Sequence, residues 1–571
     1  MSVVNPKNPA AAGEVAFPRA ASAEFRAYLS DLIYEMCAID TTPHADVARS
    51  AQAEGQVFDI IERALHAIGL AGATHERRPI DPRIAEHRFF TPLYYTQTAD
   101  APAGLDAARA YAGRSNLLVH WAGSGGGCNQ AINVHIDVVR PFFGPRRDGD
   151  IIHSRGACDN KGNVAALLGA LALLQEHVQA RGTRLNGDLT CMFVIDEETG
   201  GNGSLACAID RRLKAQYDSL LVLECTSGRL HPGNRGCVWY RVEGAAPGVN
   251  LFEATGFIIA ELEDEGRAIR AESNHPLYPH RPVQTCHGII GACGEHPSRI
   301  NGDVSFHIDF ASKDAAGRVA TLIDDVLADG LRTYTALYGD KTEQLTPRQT
   351  ARLERHYEVR RAGDGFIVRV LGLTGHMSAI QDNDGAITKL AALVRALVRS
   401  RPALERIAGG TMTLSLADWP DVSRLVLEGG QGFVPTHALE EVEQRVRAAV
   451  VRGMRRYRDI VGIDGDATSG LRVSFDKLHN AAFARPVESA DVVNAVNAAR
   501  EAGLPAEPLV GWDASCDSRI FACEYPELPV ITTGAGALQD AHSDREHIDV
   551  REVARVAEFL ARFVLRQTGT A

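Results

Sequence analysis

Residues 131–137 read Ala-Ile-Asn-Val-His-Ile-Asp, and this stretch decides how the rest of the chain is interpreted. Successive side chains of a β-strand point to opposite faces, so His135 and Asp137 share one face while the valine and the isoleucines enter the core. Such a pair suits a metal site, because a ligating imidazole usually has its other ring nitrogen held by an acceptor. A buried structural histidine would give the same pattern, so the pair alone leaves both interpretations open.

Short apolar runs alternate with longer amphipathic stretches on both sides of this strand. The spacing predicts strands at 116–120, 131–137, 189–195 and 220–223, with a helix that begins near Lys161. The pattern returns near the carboxyl end as a strand at 471–475, a helix at 490–502, a strand at 528–533 and a helix at 550–564. Alternation of this kind predicts an α/β fold with helices on the faces of a sheet.

The middle of the chain has a pattern of its own. Residues 238–340 and 358–482 each show the order strand, helix, strand, strand, helix, which predicts a doubled insertion of two small α+β sandwiches. The predicted domains are therefore a catalytic domain in two segments, 1–237 and 483–571, with residues 238–482 inserted between them.

Composition narrows the class of protein. The chain has 571 residues, enough for two or more domains, and a net charge of −12 without long single-sign runs. This charge argues against a nucleic-acid or an anionic-membrane partner. The N-terminus lacks a signal-peptide core, no stretch approaches the ~18 apolar residues of a membrane span, and the eleven cysteines include no CxxC pair. We therefore expect a cytoplasmic protein without a disulfide framework or a thiolate zinc site.

Further polar residues stand where predicted strands end or loops begin. The turn Gly156-Ala-Cys-Asp-Asn-Lys-Gly162 presents Asp159 just before a helix, although a helix N-cap explains this aspartate as well. The apolar strand before Asp196 runs into three consecutive acids, which repel one another unless cations or solvent compensate them. A fourth strand ends at Glu224.

A glycine-rich loop at 534–546 contains His542, with His547 close by as the rival candidate. Open α/β sheets bind their ligands at the ends of strands, so these residues are predicted to meet at one edge. Two histidines and three carboxylates, one of them shared, would give each of two zinc ions a mixed nitrogen and oxygen shell with room for water between them.

The motifs and their order resemble the M20 metallopeptidases, which include acetylornithine deacetylase, succinyl-diaminopimelate desuccinylase, glutamate carboxypeptidase and dinucleate dipeptidases. The segments that carry the resemblance are His-x-Asp, Gly-Ala-x-Asp-x-Lys-Gly, Asp-Glu-Glu-x-Gly-Gly, Glu-x-Thr-Ser and the late Ala-His. The resemblance implies a dinuclear-zinc-peptidase-like catalytic domain with an inserted, enlarged lid domain.

The resemblance also assigns roles. It implies two Zn²⁺ per chain, with Co²⁺ or Mn²⁺ as alternatives, and the ligands His135 and Glu224 for one ion, Glu198 and His542 for the other, and Asp159 bridging both. Asp137 would lie behind His135. Glu197 would be the general base that takes a proton from the bridging water and delivers it to the leaving nitrogen.

The segment Leu371-Gly-Leu-Thr-Gly-His376-Met-Ser resembles the lid segment whose histidine donates to the developing oxyanion. A surface histidine in a turn is the alternative. The first half of the insertion has Gly244-Ala-Ala-Pro-Gly248 where that motif would fall, and the insertion is about twice the usual length, as in the dipeptidase branch. We therefore expect His376 to act within its own chain, in a monomer with a pseudo-dimeric lid, with a homodimer as the alternative.

Substrate contacts rest on fewer residues. Arg519 lies in a segment that resembles the one carrying a substrate-contacting arginine in desuccinylases, and a guanidinium suits a carboxylate, although Arg519 could pair with Asp517 instead. Gly534 and Gly536 are further candidates. The expected substrate is a small carboxylate-bearing molecule or dipeptide, cleaved at a peptide or N-acyl amide bond. The alternatives are a catabolic amidohydrolase acting on a non-peptide C–N bond and a non-catalytic binding protein.

Overall fold

The computed structural model describes residues 17–294, 297, 299–343, 352–377, 384–466, 470–475 and 479–571, and of His376 and His479 it describes the backbone only. The strands in these residues are, in chain order, β1 (Ala73–Pro79), β2 (Ser115–Trp121), β3 (Gln130–His135), β4 (Arg146–Asp148), β5 (Ile151–His153), β6 (Leu189–Val194), β7 (Ser219–Leu223), β8 (Gly233–Asn234), β9 (Gly236–Ala245), β10 (Thr285–Ile290), β11 (Arg299–Ile300), β12 (Asp303–Phe310), β13 (Tyr357–Ala362), β14 (Gly365–Leu371), β15 (Gly375–His376), β16 (Met412–Leu416), β17 (Arg424–Phe433), β18 (Leu471–Ser474), β19 (His479–Asn480), β20 (Phe483–Ala484), β21 (Val530–Thr533) and β22 (His547–Asp549).

The α-helices are α1 (Ala23–Cys37), α2 (Val47–Ile68), α3 (Ala107–Ala110), α4 (Gly162–Arg181), α5 (Asn202–Ile209), α6 (Arg211–Lys214), α7 (Leu251–Glu272), α8 (Ala315–Tyr338), α9 (Ala386–Ala408), α10 (Leu439–Val461), α11 (Ala490–Glu501), α12 (Ser518–Glu524) and α13 (Val550–Thr568). None of the helices in the described ranges has the length and hydropathy needed to cross a membrane. Most of the cysteines are buried, as expected for core packing.

The chain divides into two compact units. The first contains Met1–Pro232, Arg485–Val510 and Ile520–Ala571, and the second contains Gly233–Ala484 with Gly511–Arg519. The predicted segment 483–571 placed residues 511–519 in the first unit, but these residues belong to the second. The reason is local backbone pairing: Trp512 N–H donates to the Gly233 oxygen at 2.7 Å, and Gly511 N–H donates to the Leu277 oxygen at 2.7 Å.

A mixed sheet forms the centre of the first unit, in the order β1-β2-β6-β3-β7-β21. Strands β6, β3, β7 and β21 run parallel, so their carboxyl ends lie at one edge. Helices α4 and α13 pack on each other and against β3. Helix α4 is buried around most of its circumference, which is typical of a helix in the core of a large domain. The predicted α/β arrangement is therefore observed.

The second unit consists of two nested sandwiches. The outer sandwich follows the order β9, α7, β10, β17, α10, β18 and forms an antiparallel sheet in the order β10-β17-β9-β18, with α7 packed on α10. The inner sandwich follows the order β12, α8, β13, β14, α9, β16 and forms the sheet β13-β14-β12-β16, with α8 packed on α9. Each has the split βαβ arrangement of ferredoxin-like folds. The inner sandwich lies wholly in the connection between β10 and β17.

This nesting corrects the predicted tandem halves. Residues 238–340 and 358–482 do not form separate sandwiches, because each sheet takes strands from both halves. The strand predicted at 471–475 lies within the predicted insertion 238–482 and is β18, which pairs with β9 in the outer sandwich and does not belong to the first unit. The doubling is present, but its boundaries differ because long-range strand pairing decides them.

Candidate metal centre

The first cluster forms where β3 and β7 end. His135 is the last residue of β3, and Glu224 follows β7, its neighbour in the sheet. His135 Nε2 lies 3.2 Å from Asp159 Oδ1 and 3.5 Å from Glu224 Oε1. All three residues are buried. The neighbouring parallel strands thus bring together two residues that are far apart in the sequence.

The second cluster shares Asp159 with the first. His542 Nε2 lies 3.2 Å from Asp159 Oδ2 and 3.1 Å from Glu198 Oε2. The two oxygens of Asp159 therefore face two different histidines at equal distances. The five side chains predicted to converge do lie together, in two groups joined by this carboxylate.

The spacing and chemistry of these groups fit divalent cations. Two ligand atoms bound at about 2.1 Å to one tetrahedral zinc ion lie about 3.4 Å apart, close to the observed 3.1–3.5 Å separations. His135 Nε2 is buried, faces two carboxylates and makes no hydrogen bond among the described residues. Buried polar atoms are normally satisfied, so this nitrogen has the environment of a metal ligand.

The electrostatics of the cluster favour added positive charge. Burial and the nearby Asp159 carboxylate raise the pKa of Glu224 to about 7, although His135 lowers it. Burial also raises the pKa of Asp159, but the adjacent His135 and His542 rings outweigh it and hold that pKa well below its usual range. The surrounding carboxylates raise the pKa of both histidines despite their burial. Three carboxylates thus lie close together in a largely buried site, where bound cations would offset their mutual repulsion.

Asp137 connects the first cluster to the acidic turn after β6. Its Oδ1 accepts the Glu197 N–H at 3.1 Å and its Oδ2 accepts the Glu198 N–H at 3.0 Å. Its backbone oxygen lies 3.1 Å from His135 Nδ1. One residue thus fixes the ring of His135 and the backbone of the turn that carries Glu197 and Glu198.

The three consecutive acids have different environments. Asp196 has a φ of 61° and accepts hydrogen bonds from Tyr111 Oη at 2.9 Å and from Arg114 Nη2 at 2.6 Å. Arg114 also binds Glu54 on α2. Only Glu198 of the three belongs to the metal-compatible groups. Arg114 and Glu54 were not predicted from the sequence, because neither stands near a motif.

Asparagine side chains hold the Asp159 loop against the ends of the parallel strands. Asn160 Nδ2 donates to the Leu223 oxygen at 2.6 Å. Asn163 Nδ2 donates to the Ala535 oxygen at 3.1 Å, and its Oδ1 accepts the Ala535 N–H at 2.7 Å. The loop after β21 is therefore linked to the loop that presents Asp159.

Glycines are required where these loops meet. A Cβ on Gly534 would lie 2.3 Å from the backbone oxygen of Glu224, and a Cβ on Gly536 would lie 2.5 Å from the Cβ of Cys158. Close packing thus explains both glycines, and their predicted contact with substrate remains a prediction.

Of the two candidate histidines in the late loop, only His542 joins the cluster. His547 lies in β22, pairs with His153 across the small sheet, and its ring centroid is 5.5 Å from that of His153. Its Nδ1 lies 2.9 Å from the Arg545 oxygen.

The remaining candidates lie in the second unit. The backbone of His376 pairs with Arg299, and its side chain lies outside the described residues. The next residue, Met377, is buried, with its Sδ 3.6 Å from Cys237 Sγ. This contact anchors the His376 turn to the outer sandwich.

Arg519 is buried, and its Nη1 lies 3.9 Å from Asp517 Oδ1. The structure adds Arg235, which the sequence analysis missed. Arg235 is buried and donates from Nη1 to the Pro282 oxygen at 3.0 Å, while its Nε makes no hydrogen bond among the described residues. Burial raises the pKa of Cys237 to about 12, and both arginines act against that rise, so the two guanidinium groups act on the same thiol.

Known proteins resemble this chain in sequence. A peptidase M20 domain-containing protein of Schizosaccharomyces pombe is 34% identical over 22% of this chain and 29% of its own length. Carboxypeptidase G2 of a Pseudomonas species is 32% identical over 25% of this chain and 38% of its own length. A succinyl-diaminopimelate desuccinylase of Novosphingobium aromaticivorans is 28% identical over 34% of this chain and 46% of its own length. The match thus spans less than half of each of these curated relatives.

Solved structures share the fold. The di-peptidase Dug1p from Saccharomyces cerevisiae superposes with a TM-score of 0.55 at 13% identity, covering 97% of this chain and 98% of its own. Human carnosine dipeptidase 1 superposes with a TM-score of 0.53 at 14% identity, covering 95% of this chain and 97% of its own. At residues 131–566, more than half of the sequence, the chain matches the family model itself, and it therefore belongs to peptidase family M20/M25/M40.

Proposed function

We propose that this chain is a metal-dependent hydrolase that cleaves an amide bond, either a peptide bond or the bond of an N-acyl amino acid, in a small substrate with a free carboxylate. The observation that carries the proposal is the pair of ligand groups joined by Asp159, with the buried His135 and Glu224 on one side and the half-buried Glu198 and His542 on the other. Family membership supports hydrolysis as the reaction.

Two Zn²⁺ ions suit these residues best, because zinc prefers a small shell of imidazole nitrogen and carboxylate oxygen, and Co²⁺ or Mn²⁺ would be accepted by the same atoms. When bound, the cations would lower the pKa of the attacking water and polarise the scissile carbonyl. The protein supplies the fixed positions of the five ligand side chains.

Glu197 is the proposed general base. It stands one residue before Glu198, and its backbone N–H is held by Asp137 at 3.1 Å. In the proposed mechanism its carboxylate takes a proton from the attacking water and delivers it to the leaving nitrogen. His376 is proposed to donate a hydrogen bond to the developing oxyanion.

A carboxylate on the substrate is proposed because the second unit holds a buried arginine, Arg235. Arg235 has a buried Nε that makes no hydrogen bond among the described residues. A buried guanidinium with donors to spare suits an anionic group, which it can bind with two parallel hydrogen bonds.

The test compares Glu197→Gln with Glu24→Gln, a matched change at an exposed glutamate of the same unit. Metal-loaded wild type is first screened against N-acyl amino acids, dipeptides and non-peptide amides that carry a carboxylate. We expect Glu197→Gln to lower kcat by about 10²- to 10⁴-fold at unchanged metal content, while Glu24→Gln keeps full activity. Full turnover by Glu197→Gln would remove this residue from the mechanism. Turnover of the non-peptide amides alone would replace the proposed substrate class.

We further propose that the chain acts as a monomer in which the doubled second unit takes the place of a partner subunit. Specific activity should then stay constant as the protein is diluted. A specific activity that falls in step with dissociation of a dimer would show that His376 serves a partner chain.

A further inference from the structure

Glu546 links the loop that presents Asp159 to the loop that presents His542. It stands four residues after His542 and is fully buried. Its Oε1 accepts the backbone N–H groups of Cys158 and Asp159, both at 3.2 Å. One carboxylate from the His542 loop therefore holds the backbone of the residue that joins both ligand groups.

A second set of contacts fixes Glu546 itself. Its Oε2 accepts a hydrogen bond from Arg155, a fully buried arginine whose Nε donates to the Pro141 oxygen at 3.1 Å. The backbone oxygen of Glu546 accepts the Ser154 N–H at 3.2 Å, next to the pairing of β22 with β5. Both the main chain and the side chain of Glu546 are thus tied to the segment that leads into Asp159.

The use of a carboxylate here carries an electrostatic cost. Glu546 brings a second buried carboxyl group against Asp159, and like charges in a low-dielectric interior repel. Arg155 offsets this repulsion. If this position needed only a side chain that fills space, apolar residues would serve there, since replacing a buried ion pair with apolar residues of similar size often leaves a protein equally or more stable.

We propose that Glu546 is a positioning residue for the metal centre: it orients Asp159 so that each carboxylate oxygen faces one of the two histidines. The proposal rests on the proposed function. The two equal separations of 3.2 Å, from Asp159 Oδ1 to His135 and from Asp159 Oδ2 to His542, describe the orientation that Glu546 maintains. Residues behind metal ligands typically change metal affinity by 10- to 100-fold when replaced.

Two substitutions separate positioning from general support of the fold. Glu546→Gln keeps an oxygen that can accept the two N–H groups. Glu546→Asp keeps the charge but withdraws the carboxylate by about 1.5 Å, out of reach of these donors. The matched control is Glu253→Gln, which changes another buried glutamate that is paired with an arginine, Arg401, in the second unit.

The measurement is the dissociation constant of Zn²⁺ for the chelator-treated full chain, by calorimetric titration with zinc alone and by competition with a chelator. We expect Glu546→Asp to weaken zinc binding by about 10- to 100-fold, while Glu546→Gln stays within about threefold of wild type. Glu253→Gln should bind zinc as wild type does, even if it unfolds at a lower urea concentration.

Zinc binding by Glu546→Asp as tight as wild type would overturn the proposal. An equal loss of affinity in Glu253→Gln would overturn it as well, because the effect would then follow stability and not position. These outcomes are distinct from failure of the proposed function, which would appear as wild-type protein that binds no zinc at the five ligands.

Discussion

Arg114 is the cation on which the acidic turn depends, and replacing it with methionine should destabilise the first unit strongly. The guanidinium is almost completely buried. Its Nε donates to Glu54 Oε2 at 3.0 Å, its Nη2 to Asp196 Oδ1 at 2.6 Å and its Nη1 to Tyr95 Oη at 2.7 Å. Arg114→Met keeps much of the volume but leaves both carboxylates buried without a cation.

The size of the effect follows from these contacts. Breaking a buried ion pair by removing one partner costs about 3–5 kcal/mol, because the remaining charge stays desolvated. Here two carboxylates, Glu54 and Asp196, lose their common partner, so we expect a loss of at least about 3 kcal/mol at pH 8, above the pKa of about 7 that burial gives Glu54. The exposed Arg77, which pairs with Asp59 and Glu62, provides the control. Arg77→Met should cost less than about 1 kcal/mol.

The assay is urea unfolding of both variants and of the double variant Glu54→Gln/Arg114→Met, followed by circular dichroism at constant metal concentration. The double variant should recover part of the loss, since one of the two unpaired charges is then absent. A loss below about 1 kcal/mol in Arg114→Met would refute the reasoning. An additional loss in the double variant would refute it too.

Further predictions concern pH, packing and the second unit. Burial raises the pKa of Glu54 to about 7, well above the value of an exposed glutamate, although Arg114 lowers it. The folded chain therefore retains a proton that the unfolded chain releases. The free energy of unfolding should fall as pH rises from about 4.5 to about 7, by up to about 1.4 kcal/mol per pH unit. Urea unfolding across this range should show a smaller dependence of that free energy on pH in Glu54→Gln, and an unchanged dependence would assign the effect to other groups. Gly534→Ala should weaken zinc binding because its Cβ would lie 2.3 Å from the backbone oxygen of Glu224, whereas Gly144→Ala, with open space around its Cβ, should bind zinc normally. Equal zinc titration curves for the two variants would show that close packing at Gly534 does not affect the site. Lys389→Met should lower the free energy of unfolding of the second unit by about 3–5 kcal/mol, measured in urea, since it leaves Asp384 buried without the ammonium that now lies 2.6 Å away. A change near zero would mean that the hydrogen bond from Tyr334 alone is sufficient to stabilise the buried Asp384 carboxylate.

The positions of the five clustered side chains were predictable because their signals are local. His135, Glu198 and Glu224 each stand at or just after the end of an apolar strand, and parallel strands bring such ends to one edge. Asp159 lies in a glycine-flanked turn before a helix, where a side chain is presented outward. Strand periodicity and turn chemistry are both set by neighbouring residues, so the sequence reveals them.

The supporting residues were not predictable for the opposite reason. Glu546 acts on backbone N–H groups nearly four hundred positions earlier in the chain, and Arg114 acts on carboxylates more than fifty positions away on either side. No periodicity or spacing marks such partners. The nested sandwiches were missed likewise: the repeating order of strands and helices has no fixed starting point, and only the pairing of β17 with β9 and β10 shows where each sandwich begins and ends.

The central claim is that five side chains hold two cations at the carboxyl edge of one sheet. Crystals grown with zinc and measured at the zinc absorption edge test this claim most directly. The expected result is two anomalous peaks per chain, one about 2.0–2.2 Å from His135, Asp159 and Glu224 and the other at that distance from Asp159, Glu198 and His542. Zinc bound elsewhere, or no anomalous peak within reach of these residues, would contradict the account.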